Sequence, residues 1–266
     1  MDMENKVVWI TGASSGIGEA LAVEMGRRGA ALVLSSRRRD RLIEVGGKCR
    51  IADEKLFLLP LDLADIDSLP EKANMAETAF GRIDILINNA GVSQRSKVSE
   101  TEITVIKKII DVNFLSGVVL TKEVLTGMLA RRAGHIVAVS SIAAKFSTPL
   151  RAAYCASKHA LHGFYNALRA EVKEGGVDVT LIVPAFVKTG ISVNALLGDG
   201  SPYGAMDKNQ ERGISPGECA RKILHSIEKK KREVYVGMDF KARTALFVSS
   251  FSPVLFERII TRARIT

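Results

Sequence analysis

A glycine-rich turn near the start of the chain constrains its fold more than any other feature. The turn reads Thr-Gly-Ala-Ser-Ser-Gly-Ile-Gly over residues 11–18, after an apolar segment, Val7 to Ile10, and before a helical pattern. Small residues let the backbone approach a pyrophosphate, and the N-terminus of the following helix supplies amide donors. This context favours a dinucleotide-binding turn over an ordinary strand-to-helix loop.

Strands and helices are predicted to alternate along the rest of the chain. After Val7 to Ile10, the further predicted strands are 31–35, 56–61, 83–87, 135–139, 178–183 and 234–236, each separated by helical patterns. Alternation of this kind predicts a parallel sheet covered by helices on both faces, the doubly wound α/β class. The 266 residues show no internal repeat and no linker, so we expect a single domain.

Composition narrows the class of protein. The chain is 47% hydrophobic and 25% charged, which is typical of a globular protein. Its three cysteines lack C-x-x-C spacing, so we expect reduced thiols, a cytoplasmic protein and no metal site. The polar start and the short apolar run behind it predict a strand rather than a signal peptide, and no stretch reaches the ~18 apolar residues of a membrane span.

A serine, a tyrosine and a lysine in the centre of the chain suggest proton-transfer chemistry. Tyr154 and Lys158 stand four apart in a predicted helix and share one face, while two serines, Ser140 and Ser141, end the preceding strand. A phenol has a pKa near ~10, and a nearby ammonium lowers it. The set suits interconversion of an alcohol and a carbonyl, with a cofactor handling the hydride. By itself the pair also fits a helix with a solvated lysine and a half-buried tyrosine.

The end of the second predicted strand bears on the choice of cofactor. No acid stands where dinucleotide folds bind a ribose 2′-hydroxyl; Arg37 and Arg38 are there instead. Arginine can clasp a phosphate in bidentate fashion, so we expect NADP(H) to be preferred over NAD(H). The alternative is that both arginines are a solvated helix start.

Other polar residues follow the predicted strands or interrupt apolar patterns. Asp62 could accept a hydrogen bond from an adenine amino group, and the segment 88–91, Asn-Asn-Ala-Gly, suits ligand contact or loop stabilisation. Asn113 lies in the middle of a predicted long helix, 100–129, where it could also be a satisfied core residue. The long segment 184–215 is predicted to be a lid or to be disordered.

Taken in order, these pieces resemble the short-chain dehydrogenase/reductase family over about residues 5–236. The matching pieces are residues 11–18, Asp62, residues 88–91, Asn113, Ser141, Pro149, Tyr154 with Lys158, and Pro184 with Thr189. The resemblance implies a Rossmann-type fold with a seven-stranded sheet. It also implies a catalytic domain over residues 1–237, with a substrate loop at 184–215, and an extension over residues 238–266.

The resemblance also implies roles for individual residues. Tyr154 would be the general acid in reduction and the base in oxidation, and Lys158 would lower its pKa and hold the nicotinamide ribose. Ser141 would orient the substrate oxygen, and Asn113 would bend its helix and bind a water of the proton relay. The residues expected to bind the cofactor are Gly12, Ser14, Ser15, Gly16, Ile17, Gly18, Arg37, Arg38, Asp62, Leu63, Asn89, Ala90, Gly91, Tyr154, Lys158, Pro184, Val187 and Thr189.

Two positions depart from the family's pattern. Ala185 stands where a glycine is common after the proline of the sixth strand, and Ser15 stands where some NADP(H)-dependent members carry a basic residue. The expectation of NADP(H) therefore rests on Arg37 and Arg38.

Three functions are weighed on this basis. The first is an NADP(H)-dependent oxidoreductase acting on a lipophilic ketone, aldehyde or alcohol, because the long ending resembles that of hydroxysteroid and retinol dehydrogenases. The second is a 3-oxoacyl-carrier-protein reductase, since positive charge could attract an acidic carrier protein. The third, a non-catalytic dinucleotide binder, usually lacks the tyrosine or the lysine.

The net charge of +9 is concentrated at the end of the chain. From Arg221 to Thr266 there are eleven Lys and Arg against four Asp and Glu, a local excess of +7. This distribution does not favour nucleic acid, which would need the charge spread along a face with stacking aromatics. The apolar block inside it comprises Leu246, Phe247, Val248, Phe251, Val254, Leu255 and Phe256, flanked by Lys241, Arg243, Arg258, Arg262 and Arg264.

Three positions are open to this apolar block. It could pack on its own subunit, against another subunit, or on an anionic membrane. Because the resembled family is usually dimeric or tetrameric, we expect packing within a homo-oligomer first and peripheral membrane contact second.

Overall fold

One parallel sheet of seven strands organises the structure, a computed structural model that describes residues 3–262. The strands lie in the order β3-β2-β1-β4-β5-β6-β7, and every neighbouring pair is parallel. Their bounds are β1 Val7–Thr11, β2 Ala31–Ser35, β3 Leu56–Leu58, β4 Ile85–Asn88, β5 Gly134–Val139, β6 Val177–Pro184 and β7 Glu233–Val236. The predicted doubly wound sheet is thereby confirmed. Arg264 lies outside the described residues.

Helices cover both faces of the sheet. They are α1 Gly16–Gly26, α2 Arg39–Cys49, α3 Leu69–Phe80, α4 Ile103–Ile110, α5 Ser116–Ala130, α6 Ala152–Glu171, α7 Lys208–Glu211, α8 Pro216–Glu228, α9 Phe240–Phe251 and α10 Pro253–Arg262. One core packs α1, α2 and α8 on the sheet, and the other packs α3, α5 and α6 on the opposite face.

The strands are apolar because both of their faces are covered. All five residues of β1 are buried, including Trp9, whose indole Nε1 donates to Ser35 Oγ at 2.9 Å. Near-continuous apolar strands are the signature of a parallel sheet between two helical layers. This rigid sheet fixes where the loops at its carboxyl edge begin.

Two predicted elements differ from the structure. The third strand ends at Leu58 rather than at residue 61, although the backbone N–H groups of Leu59 and Leu61 still donate to the carbonyl oxygens of Leu34 and Ser36. The predicted helix 100–129 is two helices, α4 and α5, joined by a π-helical segment, Asp111–Leu115. Single π-helical turns within helices are frequent at functional sites.

The C-terminal extension forms two helices that pack on the chain through few residues. Ala242 of α9 and Phe256 of α10 are buried, and the Phe256 ring lies 5.0 Å, centroid to centroid, from Phe146. Within residues 3–262, every helix is too short or too polar to cross a bilayer. Contact with its own subunit thus accounts for only part of the apolar block.

Candidate active site

A cavity of about 490 Å³ opens at the carboxyl edge of the sheet, where the turns after the parallel strands meet. One end is lined by residues that follow β2 and β3, among them Arg37, Arg38 and Asp62, and the other by Ser141, Tyr154 and Lys158. All of the residues predicted to bind the cofactor line it except Gly16 and Gly18, which belong to the turn at its floor. All of the predicted site residues except Gly16, Gly18 and Asn113 therefore line one cavity.

The glycine-rich turn is held close to the segment that follows β4. Gly12 has a φ of +66°, which favours glycine. A Cβ at Gly18 would overlap the Gly12 carbonyl oxygen and would lie 2.6 Å from Asn89 Nδ2. Asn89 Nδ2 donates to the carbonyl oxygen of Thr11 at 2.9 Å. Asn89 thus stabilises the turn, and it also lines the cavity, so both of its predicted roles fit one position.

The positive end of the cavity is made by Arg37 and Arg38. Both side chains are exposed, and Arg38 Nη2 donates to Ser14 Oγ at 3.4 Å. Neither arginine pairs with a carboxylate among residues 3–262, so both guanidinium groups could meet an anion. Asp62 lies nearby and accepts a hydrogen bond from the backbone N–H of Ala64 at 3.0 Å.

The other end of the cavity holds the tyrosine and the lysine on buried turns of α6. Lys158 Nζ lies 5.8 Å from the centroid of the Tyr154 ring and donates to the Val139 carbonyl oxygen at 3.0 Å. Ser141 hydrogen-bonds to Tyr154 and also accepts from the N–H of Ala143 at 3.1 Å. A carbonyl oxygen in this end of the cavity could therefore meet two hydroxyl groups.

Ser140 is engaged differently from its neighbour. Its Oγ lies 3.0 Å from His162 Nε2 and 3.4 Å from the Lys158 carbonyl oxygen. His162 also approaches Glu233, which pairs with Lys145. This network fixes Ser140 within the protein and leaves Ser141 as the serine that contacts Tyr154.

Asn113 lies in the π-helical segment between α4 and α5, as a bend at this residue would require. Its Oδ1 accepts from Val92 N at 2.8 Å, and its Nδ2 donates to the Val92 carbonyl oxygen at 2.9 Å and to Ser157 Oγ at 3.0 Å. The side chain is buried and ties the segment after β4 to α6. A water contact through Asn113 stays a prediction.

Comparison with known proteins identifies the family. A family model described as short chain dehydrogenase matches residues 6–198. The chain belongs to the short-chain dehydrogenase/reductase family. A mouse protein named dehydrogenase/reductase SDR family member 7B is 41% identical over 267 residues, covering 98% of this chain and 82% of the mouse protein. A Drosophila melanogaster protein named dehydrogenase/reductase SDR family protein 7-like is 39% identical over 264 residues, covering 98% of this chain and 81% of the Drosophila protein.

Solved structures of other short-chain dehydrogenases share the fold. One from Streptomyces avermitilis is 24% identical, with a TM-score of 0.84, and covers 99% of this chain and 100% of its own. A metagenomic short-chain oxidoreductase, solved in complex with NADP, is 28% identical with a TM-score of 0.74 and covers 89% and 98%.

The pKa of Tyr154 in this short-chain dehydrogenase corrects one expectation. Burial raises the pKa of Tyr154 above its usual value, opposed by the hydrogen bond from Ser141 and the charge of Arg151. Lys158 is not among the groups that lower it. Burial also lowers the pKa of Lys158 to about 8, because no carboxylate compensates the loss of water around its ammonium group.

The structure adds residues that sequence patterns did not indicate. Gln94 Oε1 accepts from Ala153 N at 2.8 Å, which anchors the start of the helix that carries Tyr154. Arg151 bonds to Asp207 at 2.9 Å and so links that same helix start to the segment 184–215. These contacts join positions more than fifty residues apart, and no local motif announces them.

The segment 184–215 is folded against the site. Leu196 N donates to the Ser93 carbonyl oxygen, Arg95 N donates to the Leu196 carbonyl oxygen, and Ile191 and Leu196 line the cavity. Phe186, which belongs to the segment predicted as a lid, lines a second cavity beside α9 rather than the first one. The backbone turns there because Ile214 N donates to the Phe186 carbonyl oxygen. In the described part of the chain, no His, Cys, Asp or Glu group is arranged for a metal ion.

Replacing Lys158 by methionine is expected to stabilise the protein without cofactor. Lowering a lysine pKa from 10.5 to about 8 corresponds to a cost of up to about 3 kcal/mol at pH 7. We expect Lys158→Met to raise the free energy of unfolding by about 1–3 kcal/mol, measured by urea titration.

The pH dependence of this stability gain tests whether the buried ammonium group of Lys158 is its cause. A lysine whose pKa is depressed in the folded state destabilises the folded protein by the full amount below that pKa. The stability gained by Lys158→Met should therefore shrink as the pH rises from about 8 to 10.5. The control is Lys173→Met at an exposed position, where a change within about 0.5 kcal/mol is expected. A clear loss of stability in the Lys158 variant at pH 7 would contradict this account.

Proposed function

We propose that this protein is an NADP(H)-dependent oxidoreductase that interconverts a lipophilic ketone or aldehyde and the corresponding alcohol. The observation that carries the proposal is the cavity at the carboxyl edge of the sheet. Arg37 and Arg38, which pair with no carboxylate among residues 3–262, lie at one end, and Ser141, Tyr154 and Lys158 lie at the other. An anionic, extended cofactor and a small carbonyl group match those two ends.

The residues of the cavity fit a dinucleotide. The close approach of Gly12 and Gly18 leaves backbone amides at the start of α1 for a pyrophosphate. Arg37 and Arg38 would hold the 2′-phosphate, with Asp62 and Leu63 at the adenine. Asn89, Ala90 and Gly91 would flank the middle of the cofactor, and Pro184, Val187 and Thr189 its nicotinamide end. The 28%-identical oxidoreductase was solved in complex with NADP, which supports a nicotinamide dinucleotide as the occupant of this cavity.

A nicotinamide dinucleotide bound here supplies or accepts the hydride. In reduction, the proton on Tyr154 Oη passes to the substrate's carbonyl oxygen as that oxygen becomes a hydroxyl; oxidation reverses the transfer. Ser141 Oγ hydrogen-bonds the same oxygen and holds it near Tyr154. Lys158 would hold the cofactor ribose by donating hydrogen bonds to it. Asn113 would hold the segment after β4 against α6 and bind a water of the proton relay.

The substrate side of the cavity supports an apolar substrate. Val92, Val112, Ile191, Leu196 and Pro202 contribute to its lining. None of the four compared proteins is named an acyl-carrier-protein reductase, and the cavity contains no feature that favours that alternative. The presence of the serine, the tyrosine and the lysine weighs against a non-catalytic binder.

We also propose a cytoplasmic homodimer or homotetramer, as the family resemblance implies. Cys49, Cys155 and Cys219 are free and buried, which fits a reducing compartment. Sizing with light scattering would establish the assembly.

Removing the phenolic hydroxyl should abolish turnover while leaving cofactor binding intact. General acid catalysis contributes about 10²–10⁴-fold, so we expect Tyr154→Phe to lower kcat by that factor with NADPH and an apolar ketone. NADPH affinity, measured by fluorescence titration, should change little. Tyr203→Phe is the matched control, because Tyr203 lies outside the cavity lining. Near-normal turnover by the Tyr154 variant would refute the assignment.

Removing the two arginines should weaken NADPH selectively. A charge-assisted hydrogen bond contributes about 1.5–3 kcal/mol, or roughly ten- to hundredfold in affinity. We expect Arg37→Ala with Arg38→Ala to raise the Kd for NADPH at least tenfold and to leave the Kd for NADH unchanged. Arg39→Ala is the control, since Arg39 is exposed outside the cavity. Equal weakening of both cofactors would count against the 2′-phosphate site.

A further inference from the structure

The two C-terminal helices expose large apolar side chains on adjoining surfaces. Phe240, Phe247 and Phe251 share one face of α9, since they stand seven and four residues apart, and they are 83%, 61% and 77% exposed. Val254, Leu255 and Ile259 of α10 are also exposed. We call the helix pair α9 and α10 the hairpin, and these six residues its apolar surface. Contiguous exposed apolar residues of this size mark an interaction site in a soluble protein.

Cations surround this apolar surface. Lys241 and Arg243 on α9 and Arg258 and Arg262 on α10 are exposed, and none of the four pairs with a carboxylate among residues 3–262. The two acids of the hairpin are Asp239, which caps α9 through the N–H of Ala242, and Glu257. The two helices therefore present exposed apolar side chains next to positive charges that have no carboxylate partner among residues 3–262.

The positive surface continues into the second cavity. This cavity, of about 730 Å³, lies at the start of α9, and its lining includes four cations and one acid together with apolar residues: Arg212, Lys222, Lys241, Arg243, Asp239, Phe186, Ile214 and Phe240. An anionic group with an attached apolar chain would match such a lining, as a phospholipid does. The cavity and the hairpin together form one amphipathic surface.

Charge decides between a second copy and a lipid bilayer as the partner of this surface. In a two-fold symmetric contact the same patch meets itself, so Lys241, Arg243 and Arg258 would face a second set of cations. Like charges in an interface oppose association. An anionic bilayer accepts aromatic residues at its headgroup boundary and attracts the cations around them.

We propose that the α9–α10 hairpin binds the face of an anionic lipid bilayer. The helices lie on the surface, with Phe240, Phe247 and Phe251 inserted between headgroups and the arginines and lysine at the phosphates. This ranks the membrane above subunit packing, which the sequence placed first. Contact among subunits remains open to other surfaces of the chain.

The hairpin is also tied to the loops around the active site. Phe256 packs on Phe146, in the connection between Ser141 and Tyr154, and Phe186 N donates to the Gly237 carbonyl oxygen at 3.4 Å. Membrane binding would therefore bring the substrate segment close to the bilayer. Access of a membrane-dissolved substrate rests on the proposed function, whereas the binding itself does not.

Vesicle flotation with the full chain tests the proposal. We expect the protein to float with phosphatidylcholine vesicles containing phosphatidylserine at low salt, and to remain unbound with phosphatidylcholine alone. Each basic residue near an anionic surface is worth about a fivefold change in partitioning. Lys241→Gln with Arg243→Gln should therefore weaken binding by at least tenfold, and raising the salt should do the same.

The apolar contribution is tested separately. Phe240→Ala, Phe247→Ala and Phe251→Ala combined should reduce vesicle binding at least tenfold. Val98→Ala with Ile103→Ala, both exposed elsewhere, should not. The far-UV circular dichroism and the thermal unfolding of each variant report that the chain is folded, so loss of lipid binding is distinguishable both from misfolding and from failure of the proposed activity.

Three results would overturn the proposal. One is wild-type protein that stays unbound with phosphatidylserine vesicles at low salt. The second is a triple phenylalanine variant that binds vesicles as the wild type does. The third is a triple variant that also elutes as a smaller species on a sizing column, which would assign the hairpin to a second copy.

Discussion

The close approach of two turns at the carboxyl edge of the sheet is the constraint on which the site depends. In the sheet order β3-β2-β1-β4-β5-β6-β7, β2 and β3 are added on one side of β1, and β4 to β7 are added on the other side. The connections after β1 and β4 therefore lead to opposite sides and leave a crevice between them. Asn89 bridges that crevice by its bond to the Thr11 carbonyl oxygen, and the glycines leave no side chain in its way. Everything else in the site is placed relative to this point.

Burial is the second determinant, because it acts on the two groups that carry the proposed chemistry. It raises the pKa of Tyr154 and lowers the pKa of Lys158 to about 8, so both groups are held nearer their neutral forms than in water. A neutral phenol can donate a proton, as reduction of a carbonyl requires. Burying the Lys158 ammonium group without a carboxylate partner lowers the stability of the folded protein, as is common at functional sites.

Much of the fold and site could be predicted because the signals are local. Apolar runs predict buried strands, and the glycine turn, Tyr154 and Lys158 stand in short motifs whose spacing has a physical reason. The strand alternation then fixes which edge these motifs share. What sequence missed depends on distant partners: Gln94 at the start of α6, Arg151 with Asp207, and His162 with Ser140. The helical form of residues 240–262 was missed because its apolar residues face solvent and give no core pattern.

The most direct test of the account is turnover itself. Purified protein would be assayed with NADPH and with NADH against a panel of carbonyl compounds that includes steroids, apolar aldehydes and acyl thioesters. The account predicts reduction of an apolar ketone or aldehyde, with kcat/KM at least about tenfold higher with NADPH than with NADH, the lower bound for one charge-assisted bond to the 2′-phosphate. Protein that binds NADPH and reduces none of these carbonyls, nor oxidises the matching alcohols with NADP, would contradict it.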